Sequence, residues 1–497
     1  MKRIVACKNI FMVLAVRSVA GWHMRRGGGV TLQRATQEKG NYFRRYPDSS
    51  TRQFVSNLPV DKLSDLTQMD IPRVILKRNR QSKAFRDGSQ LVFSKSIDKV
   101  PSSVRLGDLV QVEVPASDDP ANSSTQLVGW GVYNPDSMYR IRILQHALVD
   151  SRLKTFAKGD PSILMSILLT TQMKKALKIR RALGLPSATT DTYRLINGEG
   201  DGLSGMAVDV IGEKIAVIMS SAAWCQRHKP TILACLQDVL PEHELIWKTT
   251  PSRLRQDGMD VANEDNEDED GTQDVVPIIA MENGIRYQTF PHLKGQKTGV
   301  YCDQRENRWN LAQLSKDKRV LDLCCFHGGF SLNAAYHGAT NVVGVDSSSE
   351  AIAVCCENAA LNGLEVNTEF VKSDIADFMK SCSSKFEVVI LDPPKLAPSA
   401  SGLAKASRKY HSLNRDALKL VHDEGGIFMT CTCSAAMTQE DGGKFFLQTV
   451  QQASLSAQRE ITLLRVSGAS PCHTQSPVSF PAGNYLTAAL FYVHPKF

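Results

Sequence analysis

The stretch that decides the fold is "RVLDLCCFHGGFSLNAAYHGATNVVGVDSS", residues 319–348. An apolar run, RVLDL, meets a turn containing Gly328 and Gly329. A helical segment, FSLNAAYHG, then leads to a second apolar run, NVVGVD. Strands that are apolar throughout, rather than alternating, are buried on both faces, the state of a parallel sheet covered by helices. The alternation continues through SEAIAVCCENAALNG, TEFVKSD, FEVVILD and GGIFMTC, and ITLLRV and YLTAALFYV close the chain. The part from about residue 318 onward therefore reads as a doubly wound, Rossmann-like α/β sheet.

Ligands of such sheets bind at the carboxyl ends of the strands. The first strand is read as ending at Asp322, the second at Asp346, the third at Asp374 and the fourth at Asp392-Pro393-Pro394-Lys395; the fifth runs into Cys433. Four carboxylates and a thiol are expected along one edge. A carboxylate accepts from both hydroxyls of a ribose, and Gly328 and Gly329 let backbone approach a ligand at a helix start. A lone Asp at a strand end is often a helix N-cap, the ordinary reading of Asp346 ahead of SSSEA. Four in succession ask for more. NAD binding calls for G-x-G-x-x-G, which FHGGF lacks. S-adenosylmethionine, a nucleoside joined to an amino acid with no pyrophosphate, fits this edge better. Two prolines after Asp392 fix φ and remove two donors, which holds that carboxyl beside the ligand's reactive end.

At the end of the fifth strand stands TCTCS, residues 430–434. The twelve cysteines of the chain never fall into zinc-site spacing, so no metal is expected. No partner stands at a spacing suited to a disulfide or a metal clip, so both fare poorly beside the nucleophile reading of Cys433. Cys431 shares its face if the strand stays extended, and reads as a small buried residue.

The rest of the chain surrounds this unit. At 497 residues it should hold about three domains of ~150 residues. The formal charge is +8, yet residues 256–274 carry nine acids and no base, so the remainder stands at +17. A basic body with an acidic tether suits a polyanion such as RNA. Residues 1–37 hold seven Lys and Arg and no acid, the composition of a mitochondrial or plastid transit peptide; a secretory signal and an unprocessed cytoplasmic tail are the alternatives. Residues 38–70 read as a linker and 71–145 as a small β-barrel. Residues 146–300 read as a central α+β domain with 256–274 as a structureless surface loop, and 301–497 as the Rossmann-like domain. The helical segment ILMSILLTTQMKKALKIRRALGL offers Lys174, Lys175, Lys178, Arg180 and Arg181 to RNA phosphates, or is merely a solvated basic face. Nothing approaches ~18 uninterrupted apolar residues, so no membrane span is expected.

Several of these stretches resemble one family. VLDLCCFHGGFSLNAAYHGATNVVGVDSS, FVKSDIADF, VVILDPPKLAPS and TCTCS are similar to the cofactor and catalytic motifs of class I S-adenosylmethionine-dependent methyltransferases. They look most like the bacterial-type large-subunit ribosomal RNA cytosine-5 methyltransferases with an N-terminal PUA domain. KGQKTGVYCDQRENR (Lys294–Arg308), GEGDGLSGMAVDVIG and VILKRNRQSKAFRDGSQLVFSKSIDKV resemble further signatures of that family, and the likeness spans about 73–495. It implies a PUA-like RNA-binding domain at 71–145 and S-adenosylmethionine as cofactor. Phe326, Gly328 and Gly329 would border its methionine part, Asp346 its ribose and Asp374 its adenine. Asp392 would lie between methyl donor and base, and Cys433 would be the nucleophile. The chain departs from the family near CHTQSPVSFPAGNYL, where an Asp-His-Pro run is usual, so no role is assigned to His473.

The chemistry implied is methylation of cytosine C5. That carbon is too poor a nucleophile until a thiolate adds to C6, and charge then builds at N3. Cys433 would supply the thiolate, and a protonated Asp392 of raised pKa the donor to N3. A lowered thiol pKa is expected, with Lys395 the nearest candidate cation. The partner is large-subunit rRNA presenting a looped or flipped cytosine; the sequence leaves the oligomeric state open. Two alternatives stand beside this reading. One is a guanine or exocyclic-amine methyltransferase of the same fold. The other is a non-catalytic RNA-binding ribosome-assembly factor.

Overall fold

The computed structural model describes residues 71–78, 85–86, 88–117, 123–147, 160–260, 277–292, 300–397 and 399–496. The expected transit peptide and linker (1–70), most of the acidic loop (261–274) and residues 294–299 of the KGQKTGVYCDQRENR signature lie outside them.

Strands β1 (Arg73–Leu76), β2 (Leu91–Phe93), β3 (Ile97–Lys99), β4 (Leu109–Pro115), β5 (Thr125–Tyr133) and β6 (Tyr139–His146) form a six-stranded sheet in the order β2-β6-β5-β4-β1-β3. Val74, Val110, Val112, Ile141 and Ile143 are its own core. Bulges interrupt most of its ladders and bend the sheet around that core.

Helix α1 (Pro161–Ala182) begins where Asp160 accepts from the Ser162 N–H at 2.8 Å, with Pro161 at the first helical position. It packs on a second sheet, β7 (Tyr193–Asn197), β8 (Met206–Ile211), β9 (Ile215–Ser220) and β10 (Glu244–Thr249), ordered β10-β9-β8-β7. A hairpin follows, β11 (Ile278–Glu282) and β12 (Ile285–Thr289). Its two-residue turn is Asn283-Gly284, both at positive φ (55° and 84°), the backbone that an Asn-Gly pair adopts most readily.

Two expectations change here. Arg180 is fully buried and cannot meet RNA. Its guanidinium pairs with Asp201 (2.5 and 2.8 Å) and donates to the Cys472 carbonyl at 2.6 Å. A buried guanidinium needs such a set of acceptors. Lys175, Lys178 and Arg181 on the same helix are exposed and Lys174 is half-buried. The acidic stretch is not structureless at its start either. Residues 251–256 are helical, and Asp257 is buried, taking hydrogen bonds from Arg142 Nη2 (2.7 Å), Asn134 Nδ2 (3.2 Å) and the Ala223 N–H (2.8 Å). That carboxylate joins the first sheet to the second.

The C-terminal sheet has seven strands: β13 (Arg319–Leu323), β14 (Asn341–Asp346), β15 (Thr368–Lys372), β16 (Val388–Leu391), β17 (Gly426–Thr432), β18 (Ile461–Ser467) and β19 (Thr487–Val493), in the order β15-β14-β13-β16-β17-β19-β18. Helices α2 (Arg305–Ala312), α3 (Gly329–Tyr336), α4 (Ser349–Leu361), α5 (Ile375–Ser381), α6 (Leu403–Leu418) and α7 (Lys444–Ser456) accompany it, and apolar clusters lie on both faces. The sheet is parallel as expected over its first five strands. β19, however, is antiparallel to both neighbours. No α-helix crosses between β18 and β19, and without a crossover the chain returns in the opposite sense. No helix among the described residues is long and apolar enough to cross a membrane.

Replacing Asp257 with Ala leaves Arg142 buried without its counter-charge. It should lower unfolding free energy by about 3 kcal/mol or more, read by urea denaturation; a change within about 0.5 kcal/mol would show that the pair does not hold the two sheets together.

Candidate active site

β13 runs one residue past Asp322, so this carboxylate is not on the rim. It is buried and accepts from the N–H and Oγ of Ser331 (3.0 and 2.7 Å), which anchors the first turn of α3. Its Oδ1 is buried without a hydrogen-bond partner, and burial pushes the group up to about 6. Above it the loop from Cys324 to Gly328 curls tightly, with φ of +70° at Cys324, +50° at Phe326 and +81° at Gly328. Non-glycine residues rarely hold that backbone, and such strain gathers at ligand loops. Packing alone already asks for glycine at 329, since a Cβ there would stand 2.8 Å from Arg308 Nε.

Asp346 ends β14 at the rim. It does not cap α4, because Ser348 does so through Ala351 N–H at 3.1 Å. Its two oxygens instead take the Phe326 and Ser348 N–H groups, each at 3.0 Å, so the carboxylate is pinned with lone pairs to spare. Asp374, exposed, caps α5 through Oδ1 (2.8 Å to Ala376 N–H). The thiol of Cys324 is pushed up by burial and by the carboxylates of Asp392, Asp346, Asp322 and Asp374, which shows how closely the four acids converge.

Asp392 follows β16 directly and takes Gln304 Nε2 on Oδ2 at 3.1 Å. Burial first, then the Asp303 and Asp322 charges, raise it to about 7, against the opposing pull of Arg308. Arg308 itself is held by Glu282 (2.6 Å) at the tip of the Asn-Gly hairpin. Tyr301, pushed up to about 12 by burial and by Asp303, Cys433 and Asp392, is a neutral phenol packed edge-on against Phe326 at 4.9 Å.

Cys433 follows β17, which pairs in parallel with β16 (Leu391 opposite Thr430). Strands about 4.8 Å apart and a two-residue offset put the Cys433 and Asp392 backbones roughly 8 Å apart, close enough to hold one base between them. The thiol is half-buried at the rim, and its neighbours are clamped. Thr432 Oγ1 meets Tyr410 Oη at 2.8 Å, and Ser434 Oγ donates to the Ala397 carbonyl at 2.5 Å, which ties this loop to the one after Asp392. Cys431 is fully buried, and its thiol is raised well above the ordinary range, so it is inert. Lys395 is exposed and forms no ion pair among the described residues; the groups that act electrostatically with Cys433 include Tyr301 and Tyr410. His473 is buried, and burial and three arginines depress it to about 3, so it is a neutral packed side chain.

Sequence reasoning singled out Asp346, Asp374, Asp392 and Cys433 but passed over Tyr301, Asp303, Gln304 and Arg308. Their signal was present as YCDQRENR, quoted for its likeness without any chemistry attached.

The rim fits a donor-rich cation. Asp346 and Asp374 have acceptor capacity left, and Asp322 offers an orphaned buried oxygen. A diphosphate would face four carboxylates. Comparison with known proteins agrees: a methyltransferase-domain family profile matches residues 314–466, and a PUA-like domain profile matches 74–146. The chain is an S-adenosylmethionine-dependent methyltransferase with a PUA-like domain. This methyltransferase is 29% identical over 424 residues to Ribosomal RNA large subunit methyltransferase I of Escherichia coli strain UTI89, covering 83% of this chain and 97% of that protein. It is 28% identical to the protein of the same name from strain HS, with the same coverage. Among solved structures, the SMU.776 protein in complex with SAH superposes with a TM-score of 0.63 at 20% identity, over 84% of this chain and 99% of that one, which shows the shared fold.

Asp346→Asn should weaken S-adenosylmethionine binding roughly tenfold or more, the loss of a charge-assisted hydrogen bond; titration calorimetry showing unchanged affinity would remove Asp346 from the site. Asp392 also leaves a mark on stability. Its folded value of about 7 exceeds the unfolded value of about 3.9, so its contribution is complete below about pH 4 and is lost as pH rises through 7. Urea denaturation from pH 4 to 8 should show that slope in the wild type and a shallower one in Asp392→Asn.

Proposed function

We propose that this methyltransferase modifies C5 of a cytosine in large-subunit ribosomal RNA through a transient bond between Cys433 Sγ and C6. The observation that carries the reading is the half-buried thiol at the mouth of β17 beside a half-buried, proton-retaining carboxyl at the mouth of β16. The name of the Escherichia coli relatives supplies the RNA, and the PUA-like domain supports it.

The bound cofactor supplies an electrophilic methyl group on a sulfonium. The protein's residues do the rest. Cys433, as thiolate, forms the S–C6 bond, and the C5=C6 pair moves toward C5 as Asp392 passes its proton to N3. C5 takes the methyl group and becomes saturated. A base then removes the C5 proton, that electron pair rebuilds C5=C6, the S–C6 bond breaks with its pair returning to sulfur, and N3 gives its proton back. A carboxyl ionised at neutral pH has no proton to offer N3. One raised to about 7 by burial and by Asp303 does.

A stacked base hides C6, so the target is extruded or looped, at a cost of roughly a few kcal/mol. Lys174, Lys175, Lys178 and Arg181 on α1 are the basic residues proposed to hold phosphates, Arg180 being excluded by its burial. Each phosphate contact should add about 0.7–0.9 to the log–log salt slope of binding.

Cys433→Ala should abolish methylation of rRNA, scored by bisulfite sequencing of RNA from cells with and without the protein, and should abolish covalent trapping on RNA carrying 5-fluorocytosine. Methyl transfer to guanine or an exocyclic amine that survives this substitution would sink the cytosine reading.

A further inference from the structure

Asp392 has two oxygens, and only one of them meets another protein group among the described residues. Oδ2 receives Gln304 Nε2 at 3.1 Å, while Oδ1 has no hydrogen bond there. Which oxygen carries the proton is settled several residues away. Asn307 Nδ2 lies 3.1 Å from the Gly468 carbonyl, just beyond β18, and 2.7 Å from Gln304 Oε1. A backbone carbonyl can only accept, so the Asn307 atom facing it is the amide nitrogen. The Gln304 atom facing that nitrogen must then be its carbonyl oxygen. Ser467 Oγ, at 2.7 Å from Asn307 Oδ1, completes the set by donating to it. With its oxygen turned to Asn307, Gln304 can offer Asp392 only N–H. Gln304 and Asn307 are both buried, at 5% and 2% exposure, so water cannot substitute for either partner.

We infer that Gln304 is a positioning residue that confines the Asp392 proton to Oδ1, the oxygen left for the substrate, and that the Gly468 carbonyl sets its orientation through Asn307. The inference rests on the cytosine reading above and deepens it. An N–H on Oδ2 is best met by a carbonyl oxygen, so the neutral carboxyl keeps Oδ2 as its acceptor and presents its O–H from Oδ1. The proton passed to N3 thus has a fixed origin, and the step needs no rotation of the carboxyl. The same amide stabilises the carboxylate left after transfer, so the oxygen that accepted in the acid form keeps its donor in the anion.

The other groups facing Asp392 do not do this. From the segment before β13, Asp303 and Arg308 act on its charge with opposite signs; from β13 and its loop, Asp322 and Cys324 act as an acid and a raised thiol. Tyr301, Tyr410 and Cys431 are neutral at pH 7 because burial raises each of them. These set how tightly the proton is held. Gln304 selects the oxygen.

The test compares Gln304→Leu and Gln304→Glu with the wild-type enzyme on rRNA, with Asp392→Asn used to identify the limb of the kcat pH profile that belongs to Asp392. Gln304→Glu is nearly isosteric and keeps an acceptor for Asn307, which guards against misfolding of the Leu variant. Both should lose roughly tenfold or more in kcat, with dissociation constants for S-adenosylmethionine and RNA unchanged. In both the Asp392 limb should move to higher pH, further in Gln304→Glu, where a second carboxyl adds like charge. An unmoved limb, or a loss uniform across pH that follows a fall in melting temperature, overturns the inference. If wild-type enzyme makes no Cys433-dependent 5-methylcytosine, the cytosine reading fails and the inference with it; an unmoved limb in an enzyme that does make it overturns the inference alone.

Discussion

The parallel pairing of β16 with β17 is the constraint on which the site depends. Each strand ends in a loop that carries one chemical group, Asp392 on the first and Cys433 on the second, and the ladder fixes their separation. Neither loop is left to find its own position. The Asp392 loop is stiffened by two prolines, and the Cys433 loop is gripped on both sides by Thr432 and Ser434. The Ser434 contact with the Ala397 carbonyl joins the two loops. The thiol of Cys433 lies half-buried at the rim, held between tied-down neighbours.

A second constraint is electrostatic. Four carboxylates converge at the ends of the sheet's strands or, for Asp322, just inside them, and an arrangement of that kind favours a cationic ligand and disfavours a diphosphate. Convergence also raises the cost of ionising its members, Asp322 and Asp392 among them. Asp392 answers by holding its proton to about neutral pH, as burial beside like charges requires. Arg308 moderates the effect without cancelling it, since its own charge is largely committed to Glu282. The hairpin that delivers Glu282 turns on Asn283-Gly284, so a local turn preference in the middle of the chain reaches the proton affinity of the site.

The central region acts on the same loops from the other side. Arg180 joins Asp201 to the Cys472 carbonyl, and a Cβ on Gly200 would stand 2.2 Å from the Thr474 carbonyl oxygen, so the GEGDG turn packs directly against the segment between β18 and β19. That segment opens with Gly468, whose carbonyl orients Asn307. A motif quoted from sequence for its likeness to a family signature is thus a support for the chain's C-terminal loop.

The strands of the C-terminal sheet, the Asp346, Asp374 and Asp392 positions and the separate destinies of Cys431 and Cys433 were legible because they are local. Apolar runs of strand length and the residue that ends each one are written in consecutive letters. What was not legible depends on contacts between distant letters. Helical periodicity places Arg180 beside Lys178 and Arg181 but cannot show that Asp201 waits to pair with it. Acidic composition cannot single out Asp257, whose partners come from 123, 120, 115 and 34 residues away. YCDQRENR precedes the sheet and carries no period that marks a site, yet it supplies Gln304 and Arg308 to the recess around Asp392. Sequence by itself determined the succession of strands and placed Asp346, Asp374, Asp392 and Cys433 at or just beyond their ends, since burial pattern is a property of neighbouring positions. Only the tertiary structure decided which of those acids keeps its proton, because proton affinity follows from charges and burial brought together across the fold.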